Sequence, residues 1–435
     1  MVFNRLLSYW HRAVAAAGAA ALSSCITAET ASSSRSEQDG LSGAVSSAID
    51  RAVDDQIRDG EIPGALVMIA RGGDTAYYRA NGFADIENNV PIARDTIFRF
   101  YSMTKPITCA TVMTLYDDGL IGLDDPIKDY LPELSSMKVR TADGVVPATK
   151  DITIRNLMTH TSGFSYAVLP GAVQQDYIDA DVFAIQNRLS ESLEDHVKRL
   201  AGLPLVAEPG TIWNYGESMG VLGRLVEVVS GSSFRDYMKE RVLTPLSMDD
   251  TDFFVPSTKR NRLAALYHMD HERTLTNAND DDLYGGSYLE KPRLEYGGAG
   301  LVGTADDYMK FAQMLLQKGQ AGNRRILSAE AVRLMTTNQL DDSYGAAPLA
   351  ASGRGPGVGF GFCGLVNVES QGDGAPGAAG EYGWSGWAST NFWIDPQNDL
   401  AALVFTQVIP DDIGSVALGN NIRKALYADE SNLQK

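Results

Sequence analysis

The sequence predicts an α/β (α+β) protein in which one antiparallel sheet is assembled from both ends of the chain and flanked by helices, with a helical region inserted between its halves. Three observations lead there. Short apolar segments bounded by turn residues stand near the start (65–70, 75–81) and return near the end (358–366, 389–395, 400–407). Arg71-Gly72-Gly73-Asp74 and Pro396-Gln397-Asn398-Asp399 are hairpin turns. Between these groups helical signals dominate.

In chain order, a helix is expected at 44–59, followed by the first two strands. Helices follow at 106–119, at 151–159 behind an Asp151 cap, and at 191–201, 217–230, 232–242 and 305–317. The closing strands precede a last helix near 413–427. Residues 134–147 mix charges with Gly144 and Pro147 and read as an exposed loop. The glycine-rich stretch 345–380 reads as mobile loops at the rim of a cleft. No internal repeat is evident.

The amino terminus differs from the rest. Arg5 and Arg12 precede the apolar run Ala13–Leu22, and no acid occurs before Glu29. A basic start, a short apolar run and then small residues make an export signal, too short to span a membrane as a helix. The run ends in Leu22-Ser23-Ser24-Cys25, which resembles a bacterial lipobox. Lipidation of Cys25, with membrane attachment, and cleavage by the ordinary signal peptidase both remain open. The expected organisation is a signal over 1–25, a disordered tether over 26–43 and a catalytic body over 44–430. Within the body, a sheet subdomain covers about 44–100 and 295–430, and a helical subdomain about 101–294. Cys109 lies on an apolar helix, where a buried thiol is the usual finding; no disulfide framework is implied and none is excluded.

The 435 residues carry a net charge of −18, which argues against a nucleic-acid footprint. Charged residues at 21% and apolar residues at 44% describe a globular chain able to bury a large core.

The chemistry concentrates at Ser102-Met103-Thr104-Lys105. A serine hydroxyl needs a base to become a nucleophile, and on a helix positions i and i+3 share a face. Pro106 fits only near a helix start, which places Ser102 at the first turn, where unpaired N–H groups favour an oxyanion. Ser135-Ser136-Met137-Lys138 has the same spacing but stands in the segment read as a loop. Tyr215, at the end of Glu208–Tyr215, is the residue type that shares a proton with a lysine. Trp384-Ser385-Gly386-Trp387 leads into a strand, where a backbone N–H could form half of an oxyanion hole with that of Ser102.

Together these segments resemble the serine β-lactamase and penicillin-binding-protein superfamily, most closely its class C-like branch of family VIII carboxylesterases. The resemblance also rests on Leu157–Phe164, Pro209-Gly210-Thr211, Leu222–Glu227, Pro245–Met248 and Gly297–Leu301, and covers about residues 45–425. It implies a β-lactamase/transpeptidase-like fold, Ser102 as nucleophile, Lys105 and Tyr215 as its base pair, and a second oxyanion N–H from Trp387. Trp384, Ser385 and Gly386 would line the substrate. Two departures bear on specificity. Tyr215-Gly216-Glu217 carries an acid where β-lactamases of this type have asparagine, and Trp384-Ser385-Gly386 stands in place of Lys-Thr-Gly. The lost lysine would help hold a substrate carboxylate, so the expected substrate is a small neutral ester. A β-lactamase, a D-amino-acid peptidase or an acyltransferase are the enzymatic alternatives, and a cell-wall binding module the non-enzymatic one.

Gly216-Glu217-Ser218-Met219-Gly220 also fits the Gly-x-Ser-x-Gly elbow of α/β-hydrolases. That fold needs an acid and then a histidine after the serine; no histidine follows His271. His160, His196, His268 and His271 suggest no metal site, and no cofactor is expected. His160 is expected to shape the turn of Thr161-Ser162-Gly163.

Overall fold

The computed structural model describes residues 34–35, 40–340, 357–369, 377–410 and 415–428. The segment expected to be an export signal, with Cys25, lies outside the described residues, as do 345–356 and 370–376 of the glycine-rich stretch.

The expected sheet is present, and every pairing in it is antiparallel. Its strands run in the order Ser34–Arg35, Asp74–Asp85, Gly64–Arg71, Leu400–Phe405, Thr390–Asp395, Tyr382–Gly386, Leu365–Asn367 and Val358–Phe360, with Val90–Pro91 also pairing on Asp74–Asp85. The joint between the two ends of the chain is Gly64–Arg71 against Leu400–Phe405. Gly72 and Gly73, with φ of 60° and 87°, make the tight turn between the first two long strands; both positions need left-handed backbone.

The apolar runs follow from burial on both faces. Along one strand Ala65, Val67 and Ile69 enter one core while Leu66, Met68 and Ala70 enter the other. Leu400–Phe405 alternates in the same way. On one face the helices Gly43–Arg58 and Ser415–Tyr427 pack through Ile49, Val53, Leu418 and Ile422. On the other face lie Ala305–Leu316 and the helix Thr104–Asp117, which is buried continuously from Thr104 to Leu115.

Several expectations are corrected. Residues 134–147 are not a loop: Lys138–Thr141 and Gly144–Pro147 form a hairpin, and Lys138–Thr141 also pairs in parallel with Pro204–Leu205. The glycine and proline serve as turn exit and strand end, while Val139 is buried. Within the stretch expected to be a tether, Ser34–Arg35 forms a two-residue strand that pairs with Arg79 and Ala80. The helix expected at 151–159 shrinks to Ile154–Met158. It is capped by Thr153, whose side chain and that of Asn156 satisfy each other's backbone N–H groups, while Asp151 pairs with Lys128 at 2.6 Å. Cys109 is not a thiol but is joined to Cys363 across 254 residues, with Cα atoms 6.1 Å apart. Short helices at Gln174–Asp179 and Ala329–Thr336 were not signalled by periodicity.

Candidate active site

Ser102 sits in a single 3-10 turn, Tyr101–Met103, that runs directly into the helix Thr104–Asp117. This is where Pro106 requires the helix to start. Tyr101 has a left-handed φ of 44°. A bulky residue held there is strained and persists because its surroundings fix it. Its ring is fully buried, edge-on to Trp387 at 5.8 Å, and its hydroxyl donates to the Tyr284 carbonyl at 2.8 Å.

Lys105 projects back along the helix so that Nζ lies 3.1 Å from Ser102 Oγ, and the Tyr215 hydroxyl lies 2.9 Å from the same oxygen. The ammonium end also donates to the Gly298 carbonyl at 2.7 Å. Gly297–Leu301 reaches the helix because Gly297 has no side chain: a Cβ there would meet Thr108 Oγ1 at 2.9 Å and the Met219 carbonyl at 3.0 Å. The Thr108 hydroxyl donates to the Gly297 carbonyl, and Leu301 N–H donates to Thr104 Oγ1.

Lys105 is almost completely buried. Burial drives its ammonium down to about 7, while the Glu217 carboxylate acts in the opposite sense. The rings of Tyr215 and Tyr166, 4.6 Å and 5.8 Å from Nζ, also favour a cation, but desolvation is the larger effect. The neutral amine is therefore accessible near pH 7, which an exposed lysine would not allow.

Tyr215 is wedged among aromatic groups: Trp213 stacks at 6.2 Å, Tyr166 stands at 5.1 Å, Trp384 at 5.6 Å and His160 at 4.8 Å. Residue Gly216 lets the chain pass Phe164, whose carbonyl oxygen a Cβ would approach to 2.2 Å. His160, fully buried with φ of 54°, closes the Ile154–Met158 helix, and its carbonyl accepts from Asn214 N–H at 2.7 Å. It shapes the turn, and it also supports Tyr215, a contact its sequence position did not signal. Burial pushes its imidazole well below the usual histidine range, so it stays neutral.

The segment Tyr382–Gly386 is a strand in its own right rather than a glycine-rich approach to one. Trp384, Ser385 and Gly386 pair with Phe392, Asn391 and Thr390, while on the other side Leu365–Asn367 reaches only Tyr382 and Gly383 of this strand. Gly386 lies hard against the turn that holds Ser102: a Cβ there would come within 2.2 Å of the Phe100 carbonyl. Trp387 follows in a tight turn closed by Ser389 N–H to the Gly386 carbonyl at 3.0 Å. The backbone at Trp387 is thus brought beside the Ser102 turn.

Other serines are accounted for differently. Ser218 is fully buried at the start of the helix Ser218–Ser230, with its hydroxyl 2.8 Å from that of Ser162. The elbow-like glycines there serve packing: a Cβ on Gly220 would meet the His196 ring at 2.8 Å. Ser135 and Lys138 are exposed. Among the described residues no group of three or more His, Cys, Asp or Glu side chains could hold a metal ion.

The family described as Beta-lactamase matches residues 49–414. Protein Rv1367c of Mycobacterium tuberculosis is 34% identical over 379 residues, 83% of this chain and 90% of the relative. Esterase EstB of Burkholderia gladioli is 31% identical over 399 residues, 87% of this chain and 94% of the relative. Among solved structures, EstCE1, described as a hydrolase with promiscuous acyltransferase activity, superposes with a TM-score of 0.77 at 28% identity, covering 88% of this chain and 98% of that one. On this fold and these matches, the chain belongs to the β-lactamase family.

Proposed function

We propose that this protein is a serine carboxylesterase that cleaves small neutral esters through an acyl-enzyme on Ser102. The observation that carries the reading is the convergence of buried Lys105 and of Tyr215 on Ser102 Oγ, at 3.1 Å and 2.9 Å. Ser102 Oγ attacks the ester carbonyl carbon as its proton passes to the Lys105/Tyr215 pair. The oxyanion that forms is held by the backbone N–H groups of Ser102 and Trp387. Collapse breaks the bond to the alcohol oxygen, which leaves with the proton returned by the pair. Water then attacks acyl-Ser102 by the same route and releases the acid. No step calls for a cofactor.

The similarity to Esterase EstB and to EstCE1 supports an ester substrate over a lactam. So does Trp384, whose indole stands 5.6 Å from the rings of both Tyr215 and Phe360, an apolar wall where a lysine would pair with a carboxylate. A charge-assisted bond of that kind is worth about 1.5–3 kcal/mol, or roughly ten- to a hundredfold in affinity. The net charge of −18 adds long-range repulsion of anions at low salt. The test is side-by-side kcat/KM for p-nitrophenyl butyrate, a penicillin, a cephalosporin and a D-Ala-D-Ala peptide. The short ester should exceed the penicillin and the peptide by at least about a hundredfold; a penicillin or peptide that wins would overturn the reading.

Transfer of the acyl group to an alcohol instead of water is the second reading, favoured by the description of EstCE1. Added short alcohols would then yield a new ester at the expense of free acid. The amino-terminal pattern supports export, with Cys25 as the lipidated residue. In a bacterial host the protein should fractionate with membranes, and Cys25→Ser should release it; a soluble wild-type protein starting elsewhere would reject lipidation.

A further inference from the structure

Glu217 occupies the position where this sequence departs from Tyr-x-Asn, and nothing in the acyl-enzyme scheme uses it. Its side chain is buried. One carboxylate oxygen accepts from the Tyr296 hydroxyl at 2.7 Å and faces His196 Nε2 at 3.3 Å. The other ring nitrogen, Nδ1, faces Glu191 at 3.2 Å, and Glu191 pairs with Arg199 at 2.8 Å. A carboxylate only accepts, so an imidazole placed between two of them must carry a hydrogen on each nitrogen. His196 is accordingly an imidazolium, and its two carboxylates hold its proton up to about 9 despite full burial. Room for this ring comes from Gly220, where a Cβ would strike it.

From the catalytic side, Lys105 is faced by the Ser102 hydroxyl, the phenols of Tyr215 and Tyr166, the neutral His160, the Gly298 carbonyl and the charge of Glu217. The Tyr296 hydroxyl spans the gap, lying 3.2 Å from that of Tyr166 as well as bonding Glu217. Tyr166 and Tyr296 are held neutral by burial, and so is Tyr177, which also senses Glu217. Among these neighbours Glu217 is the negative charge that acts on Lys105.

We propose that Glu217 is a positioning residue: fixed by the Tyr296 hydroxyl and shared with the His196 imidazolium, its carboxylate retains the proton on Lys105 and so sets the pH at which Ser102 becomes active. The inference rests on the Ser102/Lys105 reading above. An unshared carboxylate would keep the lysine protonated to higher pH and idle the enzyme. No carboxylate at all would release the proton earlier. His196, drawing on the same charge, sets a value between these limits, and the Glu191–Arg199 pair keeps His196 charged.

The experiment is the pH profile of kcat/KM for an activated short ester, whose acid limb reports the free enzyme's base. Removing the negative charge makes the lysine easier to deprotonate, so the limb in Glu217→Gln and in Glu217→Asn should move to lower pH. The expected displacement is about 1 pH unit, the low end for a nearby opposite charge because His196 takes a share. The plateau at alkaline pH should change less than the activity at pH 6. A wild-type measurement independent of how the variants fold is imidazole nitrogen NMR, which should show both His196 ring nitrogens protonated at pH 7. A limb that stays in place in either folded variant, or a neutral His196, overturns the proposal while leaving an inactive Ser102→Ala to support the esterase reading. Turnover that survives in Ser102→Ala overturns both.

Discussion

Ser102–Lys105 and Ser135–Lys138 are the same four-residue spacing met twice in one chain, with opposite outcomes. The first enters a buried helix, so the hydroxyl and the amine share a face 3.1 Å apart, and burial brings the amine within reach of neutrality. The second passes from a turn into the strand Lys138–Thr141, with Ser135 and Lys138 both in water. The spacing is necessary chemistry, but the helix and its burial select it.

The largest effect that could break this comparison is at the serines. Ser102→Ala should lower kcat for a short activated ester by at least about 10⁴-fold, the scale seen when a nucleophile that acts with its partners as a unit is removed. Ser218→Ala should retain most of the activity. Progress curves on purified variants decide between them; an active Ser102→Ala would remove the distinction between the two spacings.

Next comes the base. Tyr215→Phe keeps the ring among Trp213, Trp384 and His160 but deletes the hydroxyl 2.9 Å from Ser102, and should cost about 10²-fold or more in kcat. Near-normal turnover would reduce Tyr215 to a packing residue. The smallest effect sharpens the contrast from the other side. Ser135→Ala and Lys138→Ala should each leave kcat/KM unchanged within error and alter stability by no more than about 0.5 kcal/mol, as surface changes do. Thermal melts and ester turnover on the same samples check both.

What the sequence made legible follows the same division between local and distant causes. The strand segments at 65–70 and 400–405 were visible because each is buried on both faces and therefore apolar throughout, and the helix start just after Ser102 because Pro106 tolerates little else. The hairpin at 138–147 was hidden because Gly144 and Pro147 look like breakers when the parallel partner, Pro204–Leu205, lies some sixty residues on. The Cys109–Cys363 bridge and the Glu217–His196–Glu191 line join segments that no spacing rule connects. Glu217 itself was visible as a departure from Tyr-x-Asn, but its partners were not. Gly220 looked like half of a nucleophile elbow and is instead the space in which His196 fits.

The most direct test of the claim that helix context selects the nucleophile is covalent. Wild-type protein treated with a p-nitrophenyl alkylphosphonate, which arrests a serine hydrolase at its phosphonylated nucleophile, should be inactivated with one equivalent bound. Peptide mass mapping should place that mass on Ser102 and leave Ser135 and Ser218 unmodified. Inactivation with the label on Ser218, or on any residue other than Ser102, would contradict the account.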